Sequence, residues 1–306
     1  MKLSIVATLY CSAPYIEEFC RRAGAAARQL VQDDYRIVLV NDGSPDNSLD
    51  IAVRLAGTDP HVTVVDLSRH FGHHKAMMTG LAHAAGDLIF LIDTDLEEEP
   101  EWLLKFSEQM TREKCDVVYG VQAKRKGSFF ERWSGYCYYS LFRALTGLNM
   151  PRNKTTARLM SRRYVDALLR FEEREIVIGA LFHITGFDQR ACVVTKHSTS
   201  KSTYTFSKKV GLAVNSITSF SNVPLIWIFY AGSAIFVMAC VYIVYLVASQ
   251  LFHPMEIDGW TSLMVSLWFL GGLILSAVGI VGIYLAKVFS ETKHRPYTIV
   301  KQIYGK

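Results

Sequence analysis

Two long runs without Asp, Glu, Lys or Arg restrict the fold of this 306-residue chain more than any other feature. The first run extends from Val210 to Pro254 and the second from Gly259 to Ala286. A membrane-spanning helix needs about 20 apolar residues, and neither run has a polar face. The runs therefore predict a transmembrane hairpin at about 223–249 and 261–286, in preference to a pair of buried core helices.

Basic residues flank the hairpin on both sides, whereas the loop inside it, QLFHPMEIDG, has neither Lys nor Arg. Segments rich in Lys and Arg stay on the cytoplasmic side of a membrane. We therefore expect a multi-pass protein with both termini in the cytoplasm. Residues 1–200 would form a cytoplasmic domain, 201–222 a second juxtamembrane helix and 289–306 a cytoplasmic tail. The segment GGLILSAVGIVG predicts close helix packing, within the hairpin or between subunits.

The remaining composition narrows the class of protein. A formal net charge of +5 suits an anionic partner such as a membrane surface or a nucleotide. None of the six cysteines has CxxC spacing or an accompanying His cluster, which predicts reduced thiols and no zinc site. The start of the chain, MKLSIVATLY, is too short and too soon polar for a signal peptide, so we expect it to form a first β-strand.

Strand and helix patterns alternate over about the first 120 residues. The strands are LSIVATL, YRIVLVND, VTVVDLS, DLIFLIDTD and CDVVYG, and the helices between them are YIEEFCRRAGAAARQLV, NSLDIAVRLAG, HHKAMMTGLAHAA and PEWLLKFSEQMTR. This order predicts an α/β fold with a Rossmann-like, mostly parallel sheet and helices on both faces. Ligands bind such sheets at the carboxyl ends of the strands. The polar residues there are Thr8, Tyr10, Asp42, Asp93 and Asp95.

Asp93 and Asp95 are the strongest candidates for chemistry. At i and i+2 of an extended strand their carboxylates would point the same way and reach one divalent cation. Such oxygen ligands suit Mg²⁺ or Mn²⁺, which also bind substrate phosphates. Glu97 could be a third ligand or could hold a water on the metal. The pattern therefore predicts a site for a metal and a diphosphate.

The neighbouring acids have a structural interpretation. Glu98, Glu99 and Glu101 flank Pro100, and acids together with proline are favourable in the first turn of a helix. Two interpretations stay open for Asp42, namely a contact to a base or ribose and an Asx turn or helix cap. The chain has no GxGxxG after its first strand and no GxxxxGK[ST], so the main signals of dinucleotide-binding and P-loop proteins are absent.

The segment at about 128–147, beginning SFFERWSGYCYY, has aromatic and apolar residues at helical spacing, with Arg132 and Arg143 among them. This pattern predicts an amphipathic helix that lies on or beside a membrane. An ordinary core helix is the alternative.

Several segments together resemble the polyprenyl-phosphate glycosyltransferases of glycosyltransferase family 2, which include dolichyl-phosphate mannose synthases and bactoprenol glucosyltransferases. They are TLY, VNDGSPDNS, DLSRHFGHHKAMMTGLAHAAGDLIFLIDTDLEEEP, VVYGVQAKRKGSFFERW and the hairpin, so the resemblance covers nearly the whole chain. It implies a GT-A fold, a bacterial inner membrane location and a homo-oligomer, in particular a tetramer. No nucleic acid partner is expected.

The implied reaction moves a sugar, with inversion, from a nucleotide-diphosphate sugar to polyprenyl (undecaprenyl) phosphate. The O-antigen type of relative suggests UDP-glucose as donor, with UDP-galactose, GDP-mannose or an aminosugar donor as alternatives. Because a phosphate acceptor is already an anion near pH 7, such an enzyme needs no strong general base. It must instead bring two anions together, which cations achieve.

The resemblance also implies roles for individual residues. The donor would contact Thr8, Tyr10, Asp42, Asp93 and Asp95, with the metal on Asp93, Asp95 and Glu97. The acceptor phosphate would contact Lys124, Arg125, Arg158 and Lys201. The catalytic residues would be Asp95, Arg125 and Arg158.

Two positions depart from the family pattern. Thr155 and Thr156 precede RLM, where relatives often carry an Asp, and STY at 202–204 stands in place of SKY, with Lys201 beside it. A processive polysaccharide synthase would need QxxRW, but Phe129 precedes the Arg132-Trp133 pair in place of Gln. A non-catalytic membrane scaffold would leave Asp93 and Asp95 without a role.

Overall fold

The computed structural model describes residues 2–122, 140, 144–145, 153–173, 176–196, 218, 221–252 and 259–305. The chain divides into two compact units. The first comprises Met1–Tyr139, Leu148–Thr203 and Arg295–Lys306, and the second comprises Ser140–Gly147 and Tyr204–His294. All described candidate site residues belong to the first unit.

The described strands of the first unit form one eight-stranded sheet. They are β1 (Leu3–Leu9), β2 (Tyr35–Asn41), β3 (Val62–Leu67), β4 (Leu88–Leu91), β5 (Val117–Gln122), β6 (Lys154–Ser161), β7 (Gln189–Val194) and β8 (Val300–Tyr304). Their order across the sheet is β7-β5-β6-β4-β1-β2-β3-β8. β6 runs antiparallel between β4 and β5, and β8 runs antiparallel to β3, whereas the other neighbours are parallel.

Helices cover both faces of this sheet, as the alternation predicts. Those described are α1 (Ile16–Val31), α2 (Ser48–Thr58), α3 (His73–His83), α4 (Trp102–Glu113), α5 (Arg162–Leu168) and α6 (Ile178–Ile184). Phe19 of α1 and Phe106 of α4 share one buried core with Ile5 of β1. On the opposite face α3 packs very close to the sheet, because a Cβ at Gly80 would lie 2.5 Å from the side chain of Val6.

The five strands and four helices predicted for the first 120 residues are all present, but the fourth strand is shorter than predicted. β4 ends at Leu91, and Leu96 has a left-handed backbone with φ of 57°. The Asp95 carboxylate accepts a hydrogen bond from the Glu97 N–H at 3.0 Å, which closes a turn after Asp93. Asp93 and Asp95 therefore lie in a turn, and the argument from an extended strand is wrong for this pair.

The segment expected to be a cytoplasmic tail, 289–306, contains β8. Val64 of β3 lies opposite Tyr304 in the antiparallel pairing. The hydroxyls of Thr79 and Thr298 are 2.7 Å apart and tie the approach to β8 to α3. The end of the chain is thus part of the sheet of the first unit.

The second unit contains α7 (Val223–Phe252) and α8 (Trp260–Thr292), which coincide with the predicted hairpin. Among the described residues, Phe269–Thr292 is long and apolar enough to cross a membrane, and Val223–Ala239 is a shorter apolar stretch. Large apolar side chains on both helices are exposed, as Phe229 and Leu275 show. The amphipathic helices expected at 128–147 and 201–222 fall outside the described residues, apart from isolated positions.

Candidate active site

The turn after β4 places an unsatisfied carboxylate oxygen at the carboxyl edge of the sheet. Asp93 Oδ1 is buried and accepts no hydrogen bond of regular geometry from the described residues. His73 Nε2, at the start of α3, lies 3.3 Å from this oxygen. Burial raises the pKa of Asp93, but the interaction with His73 outweighs it, so the net pKa shift is downward. Asp93 is therefore held as a carboxylate.

His73 connects this turn to the end of β1. Its Nδ1 lies 3.1 Å from the hydroxyl oxygen of Thr8, one of the predicted donor-binding residues. Burial lowers the pKa of His73, but the Asp93 carboxylate outweighs this effect and the net shift is upward. The basic run His73-His74-Lys75 opens α3, which has no acid in its first turn. Since positive charge is unfavourable at a helix N-terminus, this run was the sequence signal that could have identified His73.

Asp95 and Glu97 have different surroundings, although they lie in the same turn. Burial raises the pKa of Asp95 in spite of the hydrogen bond from the Glu97 N–H, and the charge of Asp93 adds to the increase. Glu97 Oε2 forms an ion pair with Lys196 Nζ at 3.1 Å. Lys196 lies just after β7 and was not singled out in the sequence.

Glu98 has a different role from the one predicted for it, which was to mark the first turn of a helix. Its side chain is fully buried, and its two carboxylate oxygens accept hydrogen bonds from the N–H groups of Thr156 and Ala157 at 3.0 and 2.7 Å. Burial raises the pKa of Glu98 to about 7, and the charge of Asp93 acts in the same direction. Glu98 thus connects the Asp93–Asp95 turn to β6. The pattern around Pro100 could not show this, because the contact is made 58 residues along the chain.

Asp42 anchors the loop that leads into α3. Its carboxylate is buried and accepts hydrogen bonds from the N–H groups of Phe71 and Gly72, at 2.7 and 3.0 Å. His70 Nδ1 lies 2.9 Å from Asp42 Oδ2, and the His70 ring is 4.5 Å from the ring of Tyr10. Tyr10 is 50% exposed, so a flat aromatic surface is open to solvent beside a buried carboxylate.

Arg158 lies on β6, next to this edge. It is opposite Leu91 of β4 in the antiparallel pairing and only 3% exposed. Its guanidinium carbon lies 3.3 Å from the centroid of the Phe182 ring, and its Nε donates to the Thr156 carbonyl oxygen at 3.3 Å. Burial lowers the pKa of Arg158 to about 10, so the side chain is charged at neutral pH.

The structure thus brings some of the predicted site residues together. Thr8, Tyr10, Asp42, Asp93 and Asp95 share the carboxyl edge of the sheet, as predicted. Lys124, Arg125 and Lys201 lie outside the described residues. Among the described residues, no three His, Cys, Asp or Glu side chains converge as a metal site would require.

Comparison with known proteins places the chain in a family. A model described as Glycosyl transferase family 2 matches residues 4–169. The chain belongs to glycosyl transferase family 2. A protein of Mycobacterium tuberculosis (strain CDC 1551 / Oshkosh) named "Putative glycosyltransferases" is 48% identical over 305 residues, which covers 100% of this chain and 89% of the relative.

A second family 2 relative is the undecaprenyl-phosphate 4-deoxy-4-formamido-L-arabinose transferase of Yersinia pestis (strain Pestoides F). It is 30% identical over 312 residues, covering 99% of this chain and 94% of the relative. The mannosyltransferase PcManGT of Pyrobaculum calidifontis, solved with GDP-Man and Mn²⁺, has 16% identity and a TM-score of 0.46, covering 83% of this chain and 81% of that one. The mixed, Rossmann-like sheet of this family 2 chain is a GT-A fold, as the sequence indicated.

Proposed function

We propose that this family 2 glycosyltransferase transfers a sugar from a nucleotide-diphosphate donor to polyprenyl phosphate, with inversion at the anomeric carbon. One observation carries the proposal. The acidic turn with Asp93 and Asp95 lies beside a strand on which Arg158 is buried without a carboxylate partner among the described residues. A site for a metal-bound diphosphate next to a site for a second anion is what a phosphate acceptor requires. The Yersinia relative, named for undecaprenyl phosphate, supports this acceptor class.

The carboxylates at the turn fit a divalent cation, Mg²⁺ or Mn²⁺. Asp93 offers a buried oxygen without a regular hydrogen bond, and burial together with the charge of Asp93 raises the pKa of Asp95, an effect that a cation would oppose. We assign the metal to Asp93 and Asp95. A bound metal would act as a Lewis acid and neutralise the diphosphate leaving group. Glu97 is paired with Lys196, and we assign it the role of orienting the turn.

The protein side chains bind and orient the donor. The exposed ring of Tyr10, beside His70, offers a stacking surface for the base, and Asp42 Oδ2 lies 2.9 Å from His70 Nδ1. Thr8 and His73 lie between this surface and Asp93, where the diphosphate would extend. The raised pKa of His73 favours its protonated form, which would attract the diphosphate. These contacts hold the anomeric carbon in place at the carboxyl edge.

The acceptor phosphate attacks that carbon. A phosphate monoester has a second pKa of about 6, so near pH 7 it is already a nucleophilic anion and needs no general base. One of its oxygens forms the new bond to the anomeric carbon while the bond to the donor diphosphate breaks, and the nucleoside diphosphate departs with that electron pair. Arg158 would balance the acceptor charge, and Lys124, Arg125 and Lys201 are proposed to contribute to the same task.

We further propose that α7 and α8 form a hairpin through a bacterial inner membrane, with the GT-A unit and both termini cytoplasmic. The exposed apolar side chains of both helices support this placement. The prenyl tail of the acceptor would then stay in the bilayer while its phosphate reacts. We propose UDP-glucose as donor and a homotetramer as the assembly.

The test is an assay of the full chain in detergent with undecaprenyl phosphate, Mg²⁺ or Mn²⁺, and a panel of radiolabelled UDP- and GDP-sugars. We expect one donor to give a chloroform-soluble, mild-acid-labile product, and chelation of divalent ions to stop its formation. Insoluble polymer would instead indicate a polysaccharide synthase. No product with any donor would indicate a scaffold.

A further inference from the structure

A second cation lies on the same strand as Arg158. Side chains alternate along β6, so Lys154, Thr156 and Arg158 share one face of the strand. Ala157 and Leu159 point into the opposite face, where they belong to the core under α1 and α4. Nothing in the sequence analysis gave Lys154 a role.

Neither cation has an ion-pair partner among the described residues. Lys154 Nζ lies 5.0 Å from the centroid of the Tyr119 ring, and Arg158 is stacked on Phe182. The acid whose charge reaches Arg158 is Glu98, but both of its oxygens accept hydrogen bonds from the β6 backbone. The face therefore holds two cations that lie over aromatic rings and have no ion pair among the described residues.

This arrangement is unfavourable for the protein alone. Burying a charged group is costly unless it is paired, and two like charges on one face add to the cost. Burial lowers the pKa of Lys154 to about 8, and the positive charge of Arg158 acts in the same direction. Burial, followed by the charge of Lys154, also lowers the pKa of His183. One bound anion would relieve all of these effects.

We propose that Lys154 and Arg158 together form the binding site for the phosphate monoester of the acceptor. This inference rests on the proposed function and adds a residue to it. Two cations without an acid suit a dianion that binds without a metal, whereas the donor diphosphate has the acids of the turn after β4. The strand register keeps the two anions close, because Arg158 lies opposite Leu91, two residues before Asp93.

Steady-state kinetics of the full chain test this assignment. Loss of a charge-assisted contact costs about 1.5–3 kcal/mol, so Lys154→Met should raise the KM for polyprenyl phosphate about 10- to 100-fold. The KM for the nucleotide sugar should change less than about twofold, and Lys154→Arg should recover most of the loss. Lys114→Met is the matched control, since Lys114 is exposed and far along the chain from β6. An unchanged acceptor KM, or a raised donor KM, would overturn the proposal.

A binding measurement separates this proposal from the proposed function. The wild-type chain is reductively methylated with and without farnesyl phosphate, and labelling of Lys154 and Lys114 is followed by mass spectrometry. At about ten times the dissociation constant, bound ligand should slow labelling of Lys154 about tenfold and leave Lys114 unchanged. Protection without any transfer activity would retain the phosphate site and reject the reaction. Equal labelling with and without farnesyl phosphate would reject the site.

Discussion

The two sides of the candidate site have opposite charge and opposite construction. The carboxyl edge of β1 to β4 gathers acids, of which Asp42 follows β2 and both Asp93 and Asp95 follow β4. The face of β6 presents Lys154 from the start and Arg158 from the middle of one strand. The acids lie in turns that follow strand ends. The cations lie on one strand, whose pairing with β5 shifts register between them.

This difference indicates how two anions can be brought together. In the proposed reaction, a metal held by Asp93 and Asp95 would balance the charge of the donor diphosphate on the acidic side. On the basic side, Lys154 and Arg158 would balance the charge of the acceptor phosphate by direct contact. β4 and β6 are neighbours in the sheet, so the two arrangements are adjacent without sharing a residue.

The largest expected effect is the loss of sugar transfer when the acidic side is changed. Asp95→Asn removes a proposed metal ligand and should reduce transfer about a thousandfold, the equivalent of several kcal/mol of lost charge stabilisation. Membrane insertion should be intact. Asp50→Asn, at an exposed position of α2, is the control and should transfer sugar normally. Near-normal turnover of Asp95→Asn in the radiolabel assay would remove the metal role of this turn.

The next largest effect is a loss of acceptor binding when the basic side is changed, with no loss of stability. Arg158→Met should reduce kcat/KM for the acceptor about a hundredfold, since a charged contact worth up to about 3 kcal/mol is lost. Because an unpaired buried charge is removed, Tm should be equal to or above that of the wild type. Arg170→Met, at an exposed position two residues after α5, is the control. A Tm several degrees lower would show that Arg158 is structural.

The pH dependence sharpens the contrast between the two cations. Lys154 has a lowered pKa of about 8, so it is charged below that pH and loses its charge as the pH rises through it. The groups that face it are Arg158, Tyr119 and His183. We expect kcat/KM for the acceptor to fall above about pH 8, and below about pH 6, where the acceptor phosphate gains a proton.

In Lys154→Arg the alkaline limb of this profile should move upward, because Arg keeps its charge over the whole range. The acidic limb belongs to the substrate and should stay in place. An alkaline limb at the same pH in both proteins would assign it to another group.

The last expected effect is on stability, with the smallest effect on transfer, and concerns the connection between the two sides. Glu98→Ala leaves the N–H groups of Thr156 and Ala157 without acceptors and should lower the free energy of unfolding by about 2–4 kcal/mol. Thermal unfolding of the full chain in detergent measures it. Glu108→Ala on α4, which is exposed, should leave Tm unchanged. Equal Tm values for the two variants would show that Glu98 does not hold β6 in place.

The parts of the fold that the sequence predicts are those with local patterns. β1, β2 and β3 are continuous apolar runs, and α1 and α4 have regular apolar spacing, so each was predicted within a few residues. β6, β7 and β8 were not predicted. Each pairs with a strand distant in sequence, and VKQIY in β8 is too short and too polar to stand out.

Of the candidate site, too, only the part with a local sequence pattern could be predicted. The position of Asp42, Asp93 and Asp95 at one edge follows from parallel topology and could be predicted. The roles of Glu98 and Lys154 could not, because their surroundings depend on where β6 enters the sheet. The turn after β4 was mistaken for strand because DLIFLIDTD is apolar and alternating, whereas the Asp95 carboxylate closes a turn through the Glu97 N–H.

The antiparallel pairing of β8 with β3 has a consequence for synthesis of the chain. A ribosome makes β3 early, and it makes β8 only after both apolar helices have been translated. The sheet of the first unit therefore stays incomplete on one side until both apolar helices have been translated. The edge of β3 thus stays unpaired while α7 and α8 are being made, and a chain truncated before Val300 would leave that edge of the sheet open.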